Sequence, residues 1–337
     1  MNDVQSIEQE EIGREFLARL TSDLRTAAER LTTTQARYLV DTYYQVQQFR
    51  IEAANQARAG AQMAEPSDFV AWIARHFIRL EGTIRGALDV WSSQHRPGRW
   101  AKSQVGIGPV IAAGLLAHID ITRAPTAGAI WRFAGLDPTH EWLGTERAGV
   151  LVAELWEECD GDVEQVLQHA VTRLGRREET VRRHALIKTK KLTKASLTKA
   201  LARQPWNAKL KVLCWKMAES FVKTSGHEES FYGRLWAERK IKEVEANEAG
   251  RFGEQAELAL KRKRYGADTI ARKWYEQGKL PPAHIHARSE RWIAKLFLAH
   301  YQHVAYESHY GTLPPKPYVI SILGHAHEIR VPWWPIA

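Results

Sequence analysis

Val105-Gly106-Ile107-Gly108-Pro109, continuing as Val110-Ile111-Ala112-Ala113-Gly114-Leu115-Leu116-Ala117, is the stretch whose reading decides the fold. Two glycines flank one isoleucine, and a proline falls where a new helix would begin. Glycine enters turn conformations that other residues adopt only at a cost, and Gly108 is expected to need that freedom. Pro109 is pre-set for a first helical position. The turn and helix start then present free backbone N–H groups, at the helix end that favours an anion. Ile107 is predicted to point inward as a plug between the helices before and after it. This is the pattern of a helix-hairpin-helix, which grips nucleic-acid phosphates through backbone amides without reading bases. A bare Gly-x-Gly is a weak signal. What strengthens it is the order: apolar plug, proline, a small-residue helix face, then a basic run downstream.

Charge points the same way. The 337-residue chain carries a net +9, which argues for a polyanionic partner only if it is localised. From Arg173 to Lys216 there are fourteen Lys/Arg against Glu178 and Glu179, a local excess of +12. Residues 1–65 hold seven Arg and no Lys against ten acids, a local −3. No run approaches the roughly 18 apolar residues of a membrane span, so no membrane partner is expected. The acidic start (Glu8, Glu10, Glu11) does not read as a signal peptide. Two cysteines, Cys159 and Cys214, make neither a disulfide framework nor a zinc set. The expected compartment is a reducing cytoplasm.

Upstream of the turn the chain reads as helices. Leu17, Leu20, Leu24, Ala28 and Leu31 recur at three- and four-residue steps. Thr32–Thr34 caps a second helix through Leu39, Tyr43, Val46 and Phe49. Pro66-Ser67 opens a third, with Phe69, Trp72, Ile73, Phe77, Leu80, Ile84, Leu88 and Trp91 on one nearly heptad-like stripe. Such a seam must pair with another helix, in this chain or in a second copy, so a homo-oligomer through the 66–93 helix is an expected partner. Downstream of the turn, Thr126 is placed to cap a short helix over Ile130, Trp131 and Phe133 that stops at Gly135.

Gly106-Ile107-Gly108-Pro109 with Ala112-Ala113-Gly114-Leu115-Leu116, then Trp131-Arg132-Phe133-Ala134-Gly135-Leu136-Asp137-Pro138, resembles the C-terminal domain of the insertion-sequence 110/116/902 family of transposases. The basic-apolar helix from Asn207 to Phe221, Phe231-Tyr232, and Lys295-Leu296-Phe297-Leu298 fit the way that domain continues. The resemblance covers residues 99–140 and 204–305, interrupted by an insertion. It implies DNA transposition or recombination, with a structured RNA as a further partner. Family members begin with a ribonuclease-H-like nuclease domain that presents four carboxylates to metal. Here the first ~95 residues carry no alternating β pattern to build such a sheet. The family also places a nucleophilic serine shortly after its Gly-Leu-x-Pro motif. Positions 139–145 read Thr139, His140, Glu141, Trp142, Leu143, Gly144 and Thr145, with no serine. Thr139 and Thr145 are the weak substitutes, since a threonine hydroxyl needs an activating base or metal.

The insertion holds a second signal. Val171, Gly175 and Val181 have the spacing of a helix-turn-helix, whose second helix would present Thr180, Arg182 and Arg183 to phosphates or guanine edges. Arg176 and Arg177 precede it. Lys188, Lys190, Lys191, Lys194 and Lys199 follow as a flexible or helical basic arm. Charge runs are usually solvated faces, and only the local excess raises this one above that. Together with Lys102, Gly106, Ile107 and Gly108, these residues form the candidate nucleic-acid contacts.

Lys240 to Lys279 is charged and weakly periodic, an exposed helical excursion broken by Gly250, Gly253 and Gly266. A helix with Trp292, Leu296, Ala299, His300 and His303 follows, and Tyr318-Val319-Ile320 suggests a short strand. His284/His286 and His325/His327 would share a face on a strand but point apart on a helix, and no metal is expected there. The fold class is therefore mainly α. A coiled-coil-like region (1–98) leads to a helix-hairpin-helix (99–140), then a basic insertion with a helix-turn-helix (141–203). A transposase-like helical domain (204–311) and a Pro-rich, irregular or β tail (312–337) complete it. Its expected role is that of a DNA-binding protein related to insertion-sequence transposases, taking double-stranded DNA and lacking autonomous catalysis. The alternatives are an active recombinase served by a partner nuclease domain, and a structured-RNA-binding protein. No cofactor is expected, with Mg2+ required only by the recombinase alternative.

Overall fold

A computed structural model describes residues 21–63, 67–137, 139, 141–315 and 329–334. The described residues are helical, with no strand among them. The predicted strand at Tyr318–Ile320 lies outside them, as do His325/His327, Leu17 and Leu20. Two compact units emerge: one from the described parts of Met1–Ala127 and Trp215–Ala337, the other from Gly128–Cys214.

In the first unit, α1 (Ser22–Glu29) leads into α2 (Thr33–Gln62). Thr32 caps α2 through a reciprocal box, its hydroxyl accepting from Gln35 N while Gln35 accepts from Thr32 N. Ser67 caps α3 (Asp68–Ser93). Both starts are where the sequence puts them. α2 and α3 pack along each other, and α5 (Pro109–His118) covers them at one end. Val40, Tyr43 and Val46 of α2, Ile84, Leu88 and Trp91 of α3, and Val110, Ala113 and Ala117 of α5 form one core. Small residues on α5 allow this close approach. Arg37 fastens the contact, donating Nε to the Ala117 carbonyl at 3.1 Å and Nη2 to the same oxygen at 2.5 Å. The seam on α3 thus finds its partner within this chain over its second half. Its first half stays open: Phe69 is 68% and Trp72 47% exposed.

Between α3 and α5 lies α4 (Arg96–Lys102), which packs on α15 (Pro282–Tyr310). Trp100 of α4 stacks on Phe297 of α15, whose ring also meets Phe221 and Tyr232. Of these four aromatics, Phe221 lies against the Gly-x-Gly turn, where a Cβ on Gly106 would meet its ring at 3.4 Å. The final described residues close over this core: the Trp100 indole donates to the Pro332 carbonyl at 2.8 Å. His300 Nε2 lies 2.8 Å from the Ile329 carbonyl, with Tyr232 Oη 2.8 Å from its Nδ1.

The charged excursion is three helices, α12 (Phe231–Glu248), α13 (Gly253–Arg262) and α14 (Ile270–Glu276), broken at the glycines expected. It is less exposed than the sequence suggests. Ala256, Tyr275, Leu280 and Ile285 make a small core, and buried Asn247 exchanges two hydrogen bonds with the Leu280 backbone.

The second unit is built on α7 (Gly144–Glu158), α8 (Val163–Leu174), α9 (Glu178–Ala185) and α10 (Lys194–Leu201). They share one apolar core that includes Val152, Leu155, Leu167, Val171, Val181 and Leu197. α6 (Ala127–Phe133) and α11 (Ala208–Lys223) carry the chain across the division.

Candidate nucleic-acid interface

The turn between α4 and α5 is held from below. Ile107 is 5% exposed and plugs the turn as expected, with its N–H donating to the Gln104 carbonyl at 3.0 Å. Gly106 sits at φ +97°, in the region that favours glycine, and its carbonyl accepts from Ser220 Oγ at 2.6 Å. Gly108 is different. It is the extended N-cap of α5 (φ −88°, ψ 175°), and a Cβ there would meet nothing within 4 Å. The expectation that Gly108 needs a glycine conformation is therefore corrected: the requirement belongs to Gly106. α5 starts with Pro109 and has no side-chain cap, and the Gly108 ahead of its first turn is exposed.

Lys102 does not reach outward. Its ammonium bonds Asp89 Oδ1 and Ser93 Oγ at 2.5 Å each and the Asp89 carbonyl at 3.2 Å, tying α4 to the end of α3.

In the second unit, Val171 and Val181 are buried in the shared core, and Gly175 caps α8 at φ +59°. The two valines therefore face inward, and the glycine marks the end of α8. The basic residues around them divide into two groups. Arg176 is structural, donating Nη1 to the Leu201 carbonyl at 2.7 Å and Nη2 to the Glu141 carbonyl at 3.2 Å. Arg182 grips Glu164 through both terminal nitrogens (2.9 and 2.5 Å) and Glu178 through Nη2 (2.8 Å). Its hydrogen bonds hold the Glu164 carboxyl below the usual carboxylate range. Thr180 is half-buried.

The second group is outward-facing. Arg177, Arg183, Lys188, Lys190 and Lys191 are exposed, and none is paired with a carboxylate among the described residues. The basic arm from Lys188 to Lys199, expected to be flexible or helical, is part loop and part helix. Residues 186–193 are a loop, but α10 returns to the core through Leu197 and Leu201 because its apolar face completes the four-helix unit. Lys194 lies 5.2 Å over the Trp156 ring, and Lys199 stays exposed.

The motif after α6 forms a side-chain-closed turn. Asp137 Oδ1 accepts from Thr139 N at 3.0 Å and from Thr139 Oγ1 at 2.7 Å, while Arg132 Nε reaches Oδ2 at 3.4 Å. Burial pushes the Asp137 carboxyl up, but these donors outweigh it and hold it below the usual range. Thr145 is exposed in the first turn of α7. His284 and His286 lie on α15: one meets Tyr275 Oη at 3.2 Å and the other Glu290 at 3.4 Å. Among the described residues no group of three or more His, Cys, Asp or Glu is placed to hold a metal ion.

Two supports of the turn escaped the sequence reading. Ser220 and Thr224 lie four residues apart on α11 and just beyond its end, and a Cβ on Gly106 would meet each hydroxyl at 3.2 Å. Hydroxyls at that spacing on an otherwise apolar helix face are the signal that marks them.

Residues 99–149 match the sequence model of the family described as Transposase IS116/IS110/IS902 family. The matched span runs through α4, the Gly-x-Gly turn, α5, α6 and the Asp137 turn into α7. It coincides with the first of the two segments that carry the resemblance. No curated protein and no solved structure matches the chain. Residues 99–149 are thus similar to a helical segment of these transposases.

Proposed function

We propose that the chain is a DNA-binding protein related to insertion-sequence transposases, acting in transposition or recombination without autonomous strand transfer. The observation that carries the reading is the transposase-family match over the uncapped turn at Gly108, in a chain where Arg177, Arg183, Lys188, Lys190 and Lys191 are exposed and engaged by no carboxylate among the described residues. In this reading the turn is a helix-hairpin-helix whose amides at the start of α5 hold one phosphate. Arg177, Arg183, Lys188, Lys190 and Lys191 contribute further phosphate contacts. The commitment of Arg182 and Arg176 within the fold supports a grip on backbone rather than a reading of bases.

The test is binding of the full chain to a 30-base-pair duplex at several salt concentrations. Six phosphate contacts give a slope of about −5 in log K against log salt. Replacing Lys188, Lys190 and Lys191 by Gln should reduce the slope by about 3. A flat salt response of the wild type sinks the proposal. The same assay with a structured RNA hairpin decides between the two nucleic acids.

Absence of strand transfer is the second half of the proposal. It is supported by the Thr139 hydroxyl being committed to a carboxylate of low proton affinity, a poor activating base. Strand transfer by the isolated chain with magnesium, abolished in Thr139→Ala or Thr145→Ala, would overturn it.

A further inference from the structure

The first unit carries a second basic run, Lys261-Arg262-Lys263-Arg264, at the end of α13. Cations in the last turn of a helix are ordinarily explained by the helix dipole, and Lys261 fits that account, pairing with Glu257 at 2.6 Å. The rest does not. Arg262, Lys263 and Arg264 are exposed, with no carboxylate partner among the described residues. Lys263 leaves the helix in an extended conformation (φ −141°, ψ 133°).

The run is mounted on packed structure. Tyr265, the next residue, packs against the small core and lies 5.3 Å from the Tyr275 ring. Tyr275 in turn reaches His284 of α15. On the far side, Thr269 closes the loop by bonding the Gly266 carbonyl through both its N–H and its hydroxyl. Beyond it α14 adds Lys273, also exposed and unpaired with any carboxylate among the described residues. From 261 to 273 there are six Lys/Arg against Asp268 alone. The segment is thus a fixed row of positive charge, held by Tyr265 at one end and α13 at the other.

We propose that Arg262, Lys263 and Arg264 form a second phosphate-backbone contact for nucleic acid, separate from the cations of the second unit. Charge complementarity selects the partner. Arg262 ends α13, Lys263 is extended and Arg264 precedes the packed Tyr265, so three consecutive exposed cations project from one anchored corner of the unit. Cations clustered in this way contact phosphates without reading the sequence of bases. The inference rests on the DNA-binding reading, and its test separates the two.

The experiment compares the full chain with its Arg262→Gln/Lys263→Gln/Arg264→Gln variant, on a 30-base-pair duplex across salt and on phosphatidylserine vesicles. Unchanged circular dichroism and thermal midpoint establish that the variant is folded. The expected result is a salt slope reduced by between 2 and 3, about 0.9 for each phosphate that is no longer neutralised, and Lys263 shielded from acetylation by bound duplex. If the wild type binds with a steep slope and the variant's slope is unchanged, the second contact is wrong and the DNA-binding reading stands. If the wild type shows no salt-dependent binding, both fall. Loss of vesicle binding in the variant, with its duplex slope intact, would assign the row to an anionic membrane instead.

Discussion

At the turn, two glycines separated by one residue do different work, and substitution should separate them. Gly106 sits at φ +97° over Ser220, Phe221 and Thr224, so a side chain there meets both backbone strain and approaches of 3.2–3.4 Å. Gly106→Val should destabilise the protein by about 1–3 kcal/mol, read as a lower denaturation midpoint in urea. Gly108→Ala should leave that midpoint within about 0.5 kcal/mol, because its backbone is extended and the space around it is open. Gly108→Ala should nevertheless weaken DNA binding equally on every sequence, by standing where a phosphate must approach α5. Unchanged affinity in this variant would remove the turn from the interface. A second residue gives a pH test. Burial is the main cause pushing His300 down to about 4, against an ordinary value near 6.5. The unfolded chain therefore binds the extra proton first, and stability present above about pH 6.5 is lost as pH falls towards 4. Between those limits the loss is of order 3 kcal/mol. His300→Phe should be less stable at pH 7, since Tyr232 and the Ile329 carbonyl lose their partner, but should show a flatter dependence between pH 7 and 5. An unchanged slope would show that His300 does not titrate in that window.

Elements were the most legible level, and the reason is local chemistry. Thr32 and Ser67 mark helix starts because the cap is made within three residues, so the signal and the structure lie side by side in sequence. Gly175, the cap that ends α8, is local in the same way. What stayed hidden depends on long reach. Gly-x-Gly is symmetric in sequence, and Gly106 differs from Gly108 only through a helix more than a hundred residues later. Arg182 reads as a groove-facing side chain until Glu164, eighteen residues back, is seen to take it. Periodicity also cannot distinguish a basic arm from α10, whose apolar side completes a core. That role has a measurable consequence: Leu197 is fully buried there, so Leu197→Ala should cost about 2–5 kcal/mol in chemical denaturation. A loss below about 1 kcal/mol would show that α10 is not part of the packed unit. The α3 seam is a mixed case. Its second half packs in this chain, and we propose that its open first half, with Phe69 and Trp72 stacked at 5.7 Å, pairs with a second copy. Sedimentation should then show a concentration-dependent dimer that Trp72→Asp abolishes; a wild-type monomer at all concentrations would refute it.

Across the whole molecule, the positive charge divides into cations that hold the fold and cations that face solvent. Lys102, Arg176 and Arg182 belong to the first kind, each bound to a carboxylate or carbonyl of its own unit. Lys188, Lys190, Lys191, Arg183 and the 262–264 run belong to the second. Arg182, the arginine central to the predicted reading helix, is thus engaged, whereas the outward-facing cations sit in loops and at helix ends, where phosphate contact needs only charge. A protein built this way should bind many sequences with similar affinity. Arg182→Ala should accordingly cost no more than about 1 kcal/mol of stability, the scale of a solvated ion pair, and should not change which DNA is bound. The check is selection from a random-sequence duplex pool with wild type and Arg182→Ala, followed by sequencing of the bound fraction. Neither should enrich a motif. A motif enriched by the wild type and absent with Arg182→Ala would mean that Arg182 leaves Glu164 and Glu178 on binding, each base pair it reads being worth about 1–3 kcal/mol. α9 would then be a reading helix, and the unit it belongs to a sequence-specific one.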